Sequence, residues 1–218
     1  MKRIVIAGGP GINISALISH MKDEYILAAD SGANYLYQHR ILPDKILGDM
    51  DSIAPEALAW VRENGVDVDV FPIEKDMTDS ELCLRECKKT DEILFVTSLS
   101  GRPDHVLSNL FLCGKLAAEG FSICATDGIS WVYPMCGSAS YVLSEEQKAL
   151  DPTVSLIPLS VKVTGVTTAG FYYPLENAKL YLGSSFSVSN RLGIAKVQDE
   201  VSIQIESGIL LVMLVNGE

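Results

Sequence analysis

No apolar run in these 218 residues approaches the roughly 18 needed for a membrane-spanning helix. Basic tracts are also missing. Lys and Arg number 17 against 28 Asp and Glu, a formal charge of −11. That balance argues against nucleic acid or an anionic membrane as partner. With only three His and no Cys-x-x-Cys, a zinc site is not expected. The five cysteines (83, 87, 113, 124, 136) are odd in number and sit mostly in apolar segments, as reduced thiols of a cytoplasmic protein would. There is no Gly-x-Ser-x-Gly elbow, no P-loop lysine and no complete G-x-G-x-x-G. The opening MKRIVIAGGP is broken at Gly8, Gly9 and Pro10, so it reads as a first strand rather than a signal peptide.

What is present divides into two patterns. To about residue 126, short apolar runs alternate with helical segments. Arg3–Ala7, Tyr25–Ala29, Lys45–Leu47, Val66–Phe71, Glu92–Ser98 and Phe121–Thr126 read as buried strands. Ile12–Lys22, Ala33–His39, Pro55–Asn64, Asp79–Lys89 and Asp104–Glu119 read as helices. This alternation predicts a mostly parallel, Rossmann-like sheet with helices on both faces, an α/β domain over 1–135. From about residue 139 no helices are expected. Nine short strands are: Ser140–Leu143, Val154–Pro158, Val161–Val163, Thr167–Tyr172, Leu180–Leu182, Ser187–Ser189, Ile194–Val197, Val201–Ile205 and Ile209–Val215. With Pro and Gly between them, they predict an all-β domain over 139–218, a sandwich or roll.

Acidic residues recur where the first-half strands should end, the edge at which open α/β sheets bind ligands. Asp49 and Asp51 lie two apart in GDMDS. In extended chain their carboxylates would point the same way. Two such groups repel unless a cation joins them, and Mg²⁺ is held by one or two carboxylates plus substrate phosphates. An Asp-x-Asp alone is more often a solvated turn. In KDMTDSE, Thr78-x-x-Glu81 matches a capping box before an apolar helix. That leaves Lys75 to meet a phosphate and an acid to complete a metal site. In SGRPDH, Arg102 can fork onto phosphate oxygens at a helix start. Asp104 is a candidate N-cap, and His105 is more often structural than a base. Gly8-Gly9-Pro10-Gly11 means a tight turn. Asp30, with Ser31 and Gly32, lies about 20 residues on, where dinucleotide folds place a ribose-binding acid. The inventory suits phosphoryl-type transfer, which needs positioning, metal and positive charge more than a nucleophile.

Three ordered blocks, ADSGANYLYQHRILPDKILGDMDSI, KDMTDSEL and SGRPDHVLSNL, followed by SLIPLS…GVTTAGFYYPL…SVSN, resemble the thiamin pyrophosphokinase family over nearly the whole chain. The resemblance implies transfer of a diphosphoryl group from ATP to the hydroxyethyl group of thiamine, giving thiamine diphosphate and AMP. It implies an α/β domain followed by a β-sandwich, in a homodimer whose thiamine pocket is shared between subunits. By motif, Asp49, Asp51 and Asp79 would hold Mg²⁺. Arg102 and Asp104 would order the ATP phosphates, and Ser187, Ser189 and Asn190 would reach thiamine. Asp30, Ser31, Gly32, Lys75, Asp76, Thr78, His105 and Asn109 would line the nucleotide site. Lys75 stands where some relatives have a neutral polar residue. Some members carry a Trp after the Ser-Asn pair; here Arg191-Leu192-Gly193-Ile194 follows, leaving the ring contact unassigned. The proton acceptor stays open among Asp79, Asp104 and a phosphate oxygen. Competing readings are a metal-dependent nucleotide-sugar transferase and a non-catalytic nucleotide sensor.

Overall fold

Strands whose residues are apolar on both faces must be covered on both, which is the condition of a parallel sheet. Ile4, Val5, Ile6, Leu27, Ala28, Ile46, Leu47, Phe95 and Val96 are all essentially inaccessible. In the computed structural model, which describes residues 1–193 and 200–216, they belong to β1 (Lys2–Ile6), β2 (Tyr25–Ala29), β3 (Lys45–Gly48) and β5 (Glu92–Val96). With β4 (Asp67–Val70) and β6 (Ser122–Thr126) they form a parallel array in the order β4-β3-β2-β1-β5-β6. The chain runs outward from β1 to β4, then returns to β5 on the other side of β1. The reversal makes the gap between β1 and β5 the switch point, where such sheets open a crevice.

The intervening helices are α1 (Ile18–Met21), α2 (Gly32–Gln38), α3 (Pro55–Glu63), α4 (Asp79–Arg85) and α5 (Pro103–Ala118). The expected helix over 12–22 is a 3-10 turn at Ile14–Leu17 followed by the single turn of α1. Asn13 caps it, and its backbone N–H is also tied to Asp127. Helix α5 starts at Pro103, so Asp104 lies in the first turn and is not the N-cap. Proline suits that first position because its missing N–H would have no intrahelical partner there. Together these elements form one compact unit, Met1–Leu112 with Gly120–Ile129.

A second unit comprises Cys113–Glu119 and the chain from Ser130. Its strands are β7 (Trp131–Cys136), β8 (Ala139–Val142), β9 (Thr153–Pro158), β10 (Lys162–Ala169), β11 (Ala178–Tyr181), β12 (Ser202–Ile205) and β13 (Ile209–Val215). All pairings among them are antiparallel: β13 lies between β7 and β9, and the other four follow the order β11-β10-β12-β8. Val154, Leu156, Val163, Val166, Leu180, Ile203, Leu210 and Val212 make its core.

Four expectations are corrected here. Val161–Val163 and Thr167–Tyr172 are not two strands but largely one, β10, with a register shift between Val163 and Val166. Gly165, at φ +67°, sits at that bulge, and a bulge bends a strand without ending it. Residues 187–189 are a turn. There Ser189 has φ +62°, and the Ser187 hydroxyl donates to the Leu156 carbonyl. A short helix, α6 (Glu145–Ala149), stands inside the β half, closed by a capping box between Ser144 and Gln147. Strand β7 was not expected; its Pro134 lies opposite Leu211. The expected strand Ile194–Val197 lies outside the described residues. Cys83, Cys87 and Cys113 are buried and form no disulfide. Among the described residues no helix is long and apolar enough to cross a membrane.

Candidate active site

Strand order brings the acids together. Because β2 and β3 are neighbours, the residues that follow them are neighbours too, and the Asp30 N–H donates to the Leu47 carbonyl. Helix α4, which packs on β2 and β3, starts at Asp79. Thr78 fixes that start by accepting the Glu81 N–H. Carboxylate oxygens of Asp30, Asp49 and Asp79 consequently lie within 4.8 Å of one another. Gly48 makes the convergence possible. A Cβ there would sit 2.9 Å from Asp30 Cβ and 3.2 Å from Asp79 Cγ.

The cluster is anionic and partly out of water. Asp30 is 5% exposed. Its Oδ1 accepts no hydrogen bond, and neither does Asp79 Oδ1. Lys75 is the counter-charge. Its Nζ donates to Asp49 Oδ2 at 2.9 Å and to the Pro72 carbonyl at 3.1 Å, and it faces Asp79 Oδ1 at 3.2 Å. The hydrogen bond from Lys75 holds the Asp49 carboxyl below its ordinary pKa. Burial pushes Asp79 above its own, against the attraction of the same lysine.

Asp51 is exposed rather than in the cluster. The segment is not extended: Met50 has φ +63°, and the Asp51 N–H turns back to Asp49 Oδ1. The pleat argument for two parallel carboxylates therefore fails. Asp51 stays adjacent through Ser52, whose hydroxyl contacts both Asp30 and Asp51. Asp30, expected beside a ribose, is instead a full member of the acid group. Its signal in the sequence was its place at a strand end, which needs strand order to interpret.

A cavity of about 350 Å³ opens at the switch point. Gly8, Gly9 and Pro10 after β1 form one wall, and Thr97, Ser98 and Ser100 after β5 another. Gly8 is pressed against Ser31, whose Oγ would be 1.8 Å from a Cβ. Asp30, Ser31, Lys75, Thr78, Asp79, Arg102, His105 and Asn109 all line this space. Asn109 is buried and donates to Thr97 Oγ1 at 2.8 Å. Gly32 supports the wall from behind, packed on the Ile6 carbonyl. Asp76 is exposed and lies outside both the cavity lining and the acid cluster. Arg102 spends its fork on Asp104, with Nε at 3.2 Å and Nη2 at 2.6 Å from the two carboxylate oxygens. That bidentate bond holds the Asp104 carboxyl down to about 2.

The second unit has its own pocket, of about 500 Å³. Ser187, Ser189 and Asn190 line it, as do Tyr172, Tyr173 and Phe186. The polar side chains are largely committed to the fold. Ser187 holds Leu156, and the Asn190 amide both donates to the Tyr173 carbonyl and accepts its N–H. The aromatic rings are the open groups, at 46%, 61% and 68% exposure, with the Arg191 guanidinium 3.9 Å above Tyr172. Tyr172 and Tyr173 come from the FYY run in GFYYPL, and Phe186 directly precedes Ser187.

An acid cluster beside a switch-point crevice belongs to α/β proteins that bind ligands at the carboxyl ends of parallel strands. Comparison with known proteins narrows this. Residues 18–125 match the family model "Thiamin pyrophosphokinase, catalytic domain", and residues 140–210 match "Thiamin pyrophosphokinase, vitamin B1 binding domain". The chain belongs to the thiamin pyrophosphokinase family. It is 29% identical to thiamine pyrophosphokinase of Bacillus subtilis, over 98% of each chain. To thiamine pyrophosphokinase 1 of Oryza sativa it is 26% identical, over 83% of this chain and 74% of that protein. The crystal structure of the Bacillus subtilis thiamine pyrophosphokinase superposes with TM-score 0.85 at 26% identity, covering all of both chains. That of Geobacillus thermodenitrificans thiamin pyrophosphokinase gives 0.81 at 27%, covering 100% of this chain and 99% of that one.

Proposed function

We propose that this enzyme transfers the diphosphoryl group of ATP to thiamine, releasing AMP and thiamine diphosphate. The observation that carries the chemistry is the convergence of Asp30, Asp49 and Asp79 in one cluster, of which Asp30 and Asp79 line the cavity, with one buried Asp30 oxygen lacking any donor. Hard carboxylate oxygens, two of them without a hydrogen bond, fit a divalent cation such as Mg²⁺. Asp30, Asp49 and Asp79 would hold it. Asp51, exposed and joined to Asp30 through Ser52, would join them by turning its side chain. A bound Mg²⁺ would neutralise charge on phosphate oxygens and lower the cost of developing charge.

The remaining roles fall to the chain. Arg102 stands at the cavity with its guanidinium oriented by Asp104. The first turn of α5 offers N–H groups to an anion. Burial raises the Asp79 carboxyl above its ordinary value, and a bound divalent cation would favour its ionised form. Thiamine is a cation, and the pocket with Tyr172, Tyr173 and Phe186 offers aromatic faces to it. We assign the nucleotide to a Rossmann-like domain over 1–135 and thiamine to a β-sandwich over 139–218. The active unit is a cytoplasmic homodimer, one subunit's aromatic pocket completing the other's cavity. Two separate pockets, one acidic and one aromatic, support that arrangement.

The test is product analysis with ATP, thiamine and Mg²⁺. AMP and thiamine diphosphate in equal amounts are expected. ADP with thiamine monophosphate would overturn the assignment, as would AMP release that ignores thiamine.

A further inference from the structure

Among the described residues, Lys75 is the one cation at the acid cluster, and its position is unusual for a phosphate ligand. Its side chain is 13% exposed, its ammonium donates to Asp49 and to the Pro72 carbonyl, and it faces Asp79 Oδ1 as an ion pair at 3.2 Å. Three carboxylates against one ammonium leave an excess of two negative charges. The ammonium also cannot serve every oxygen. Asp30 Oδ1 is left with no donor at all, and Asp79 Oδ1 has an ion pair without hydrogen-bond geometry. A divalent cation with several oxygen ligands can satisfy groups that a three-donor ammonium cannot reach.

We infer that Lys75 is a resident counter-cation that a divalent metal displaces: its ammonium occupies the Asp49–Asp79 bridge in the metal-free protein and leaves when the metal binds. This rests on the reading of the acid cluster as a divalent-cation site. Two consequences follow from the exchange. The carboxylates stay assembled and charged before metal arrives, because the ammonium offsets their repulsion. Metal affinity without nucleotide is weakened, because the bridge must be broken first. The departing ammonium is not lost to the site, since Lys75 already lines the cavity. Its positive charge passes from the carboxylates to whatever anion lies there.

The experiment uses nucleotide-free, full-length protein with Mg²⁺ alone. Lysines of the wild-type protein are acylated with a succinimidyl ester, and each site is quantified by mass spectrometry. The exposed Lys22 and Lys179 serve as internal standards. Adding Mg²⁺ should raise Lys75 modification at least about threefold relative to them, as the ammonium shifts from bridged to free. Unchanged or reduced modification at saturating Mg²⁺ would overturn the exchange and make Lys75 a fixed partner of the bound metal. In parallel, Lys75→Met should bind Mg²⁺ about tenfold more tightly by calorimetry, and Lys75→Arg should stay near wild type. Equal or weaker binding by a folded Lys75→Met would also overturn the inference. None of these readouts needs turnover, so a failure of the AMP assay and a failure of the exchange are separate results.

Discussion

Asp49 and Asp79 share one lysine yet are pushed in opposite directions, Asp49 by the hydrogen bond it receives and Asp79 by burial. Asp49 is held ionised by the lysine, as a metal ligand should be, whereas Asp79 needs a further cation to offset its burial. Asp49→Asn and Asp30→Asn should each lower kcat/KM on the order of 100-fold or more, since a metal supplies several kcal/mol to a transition state. Circular dichroism should show the fold intact. Full activity of either at saturating Mg²⁺ would remove it from the metal site. Gly48→Ala tests the same cluster through packing. A methyl 2.9 Å from Asp30 Cβ has to spread the acids, and overpacking costs about 1–3 kcal/mol. A lower melting temperature with weaker Mg²⁺ binding is expected; a variant with both unchanged would show that the acids tolerate separation.

Arg102 and Asp104 give a prediction in pH. The guanidinium fork lowers the Asp104 carboxyl from 3.8 to about 2 in the folded protein. A depressed carboxylate stabilises the fold above its unfolded value, and that contribution is lost as pH falls through the folded one. The window therefore runs from about 3.8 down to about 2. The pair is exposed, so its effect on stability is small and is better read directly. In Arg102→Gln the carboxyl carbon of Asp104 should titrate nearer 3.8 by NMR. A midpoint still near 2 would mean that another group holds Asp104 down.

At the scale of elements, a cap sets the geometry of the cluster. Thr78 accepts the Glu81 N–H and so starts α4 at Asp79, the residue that must face Asp49. Thr78→Ala should cost about 1 kcal/mol of stability, and weaken Mg²⁺ binding by letting the first turn fray. A stability loss with unchanged metal affinity would show that packing alone holds Asp79. This helix start was legible, because Thr-x-x-Glu before an apolar run is a local signal. So were the parallel strands, because burial on both faces leaves unbroken apolar runs such as IVIA and ILFV. Asp30 was harder to read. Its strand end was evident, but its neighbour across the sheet depends on β2 lying beside β3, a non-local fact. Asp51 misled for the opposite reason. A local rule for extended chain was applied where Met50 takes a left-handed turn. In the β half, Gly165 looked like a break and is a bulge, since glycine serves both.

At the scale of the whole molecule, the two units carry different sets of groups. The first has carboxylates, a lysine, an arginine and a crevice at the switch point; the second has a pocket walled by Tyr172, Tyr173 and Phe186. If one subunit's cavity works with the other's pocket, lesions in the two should complement. Asp49→Asn removes a carboxylate from the cluster. Asn190→Ala removes the amide that clamps the Tyr173 backbone, so the aromatic wall should lose its shape. Each homodimer alone should be poor. A heterodimer would assemble one site bearing both lesions and one bearing neither, and so recover up to roughly half of wild-type activity. With random exchange about half of the dimers are mixed, so the mixture should reach up to roughly a quarter of wild type. Exchange is verified by native mass spectrometry of the two tagged variants. If mixed dimers form and activity stays at the level of the parents, each site is built within one chain, and the shared arrangement is wrong.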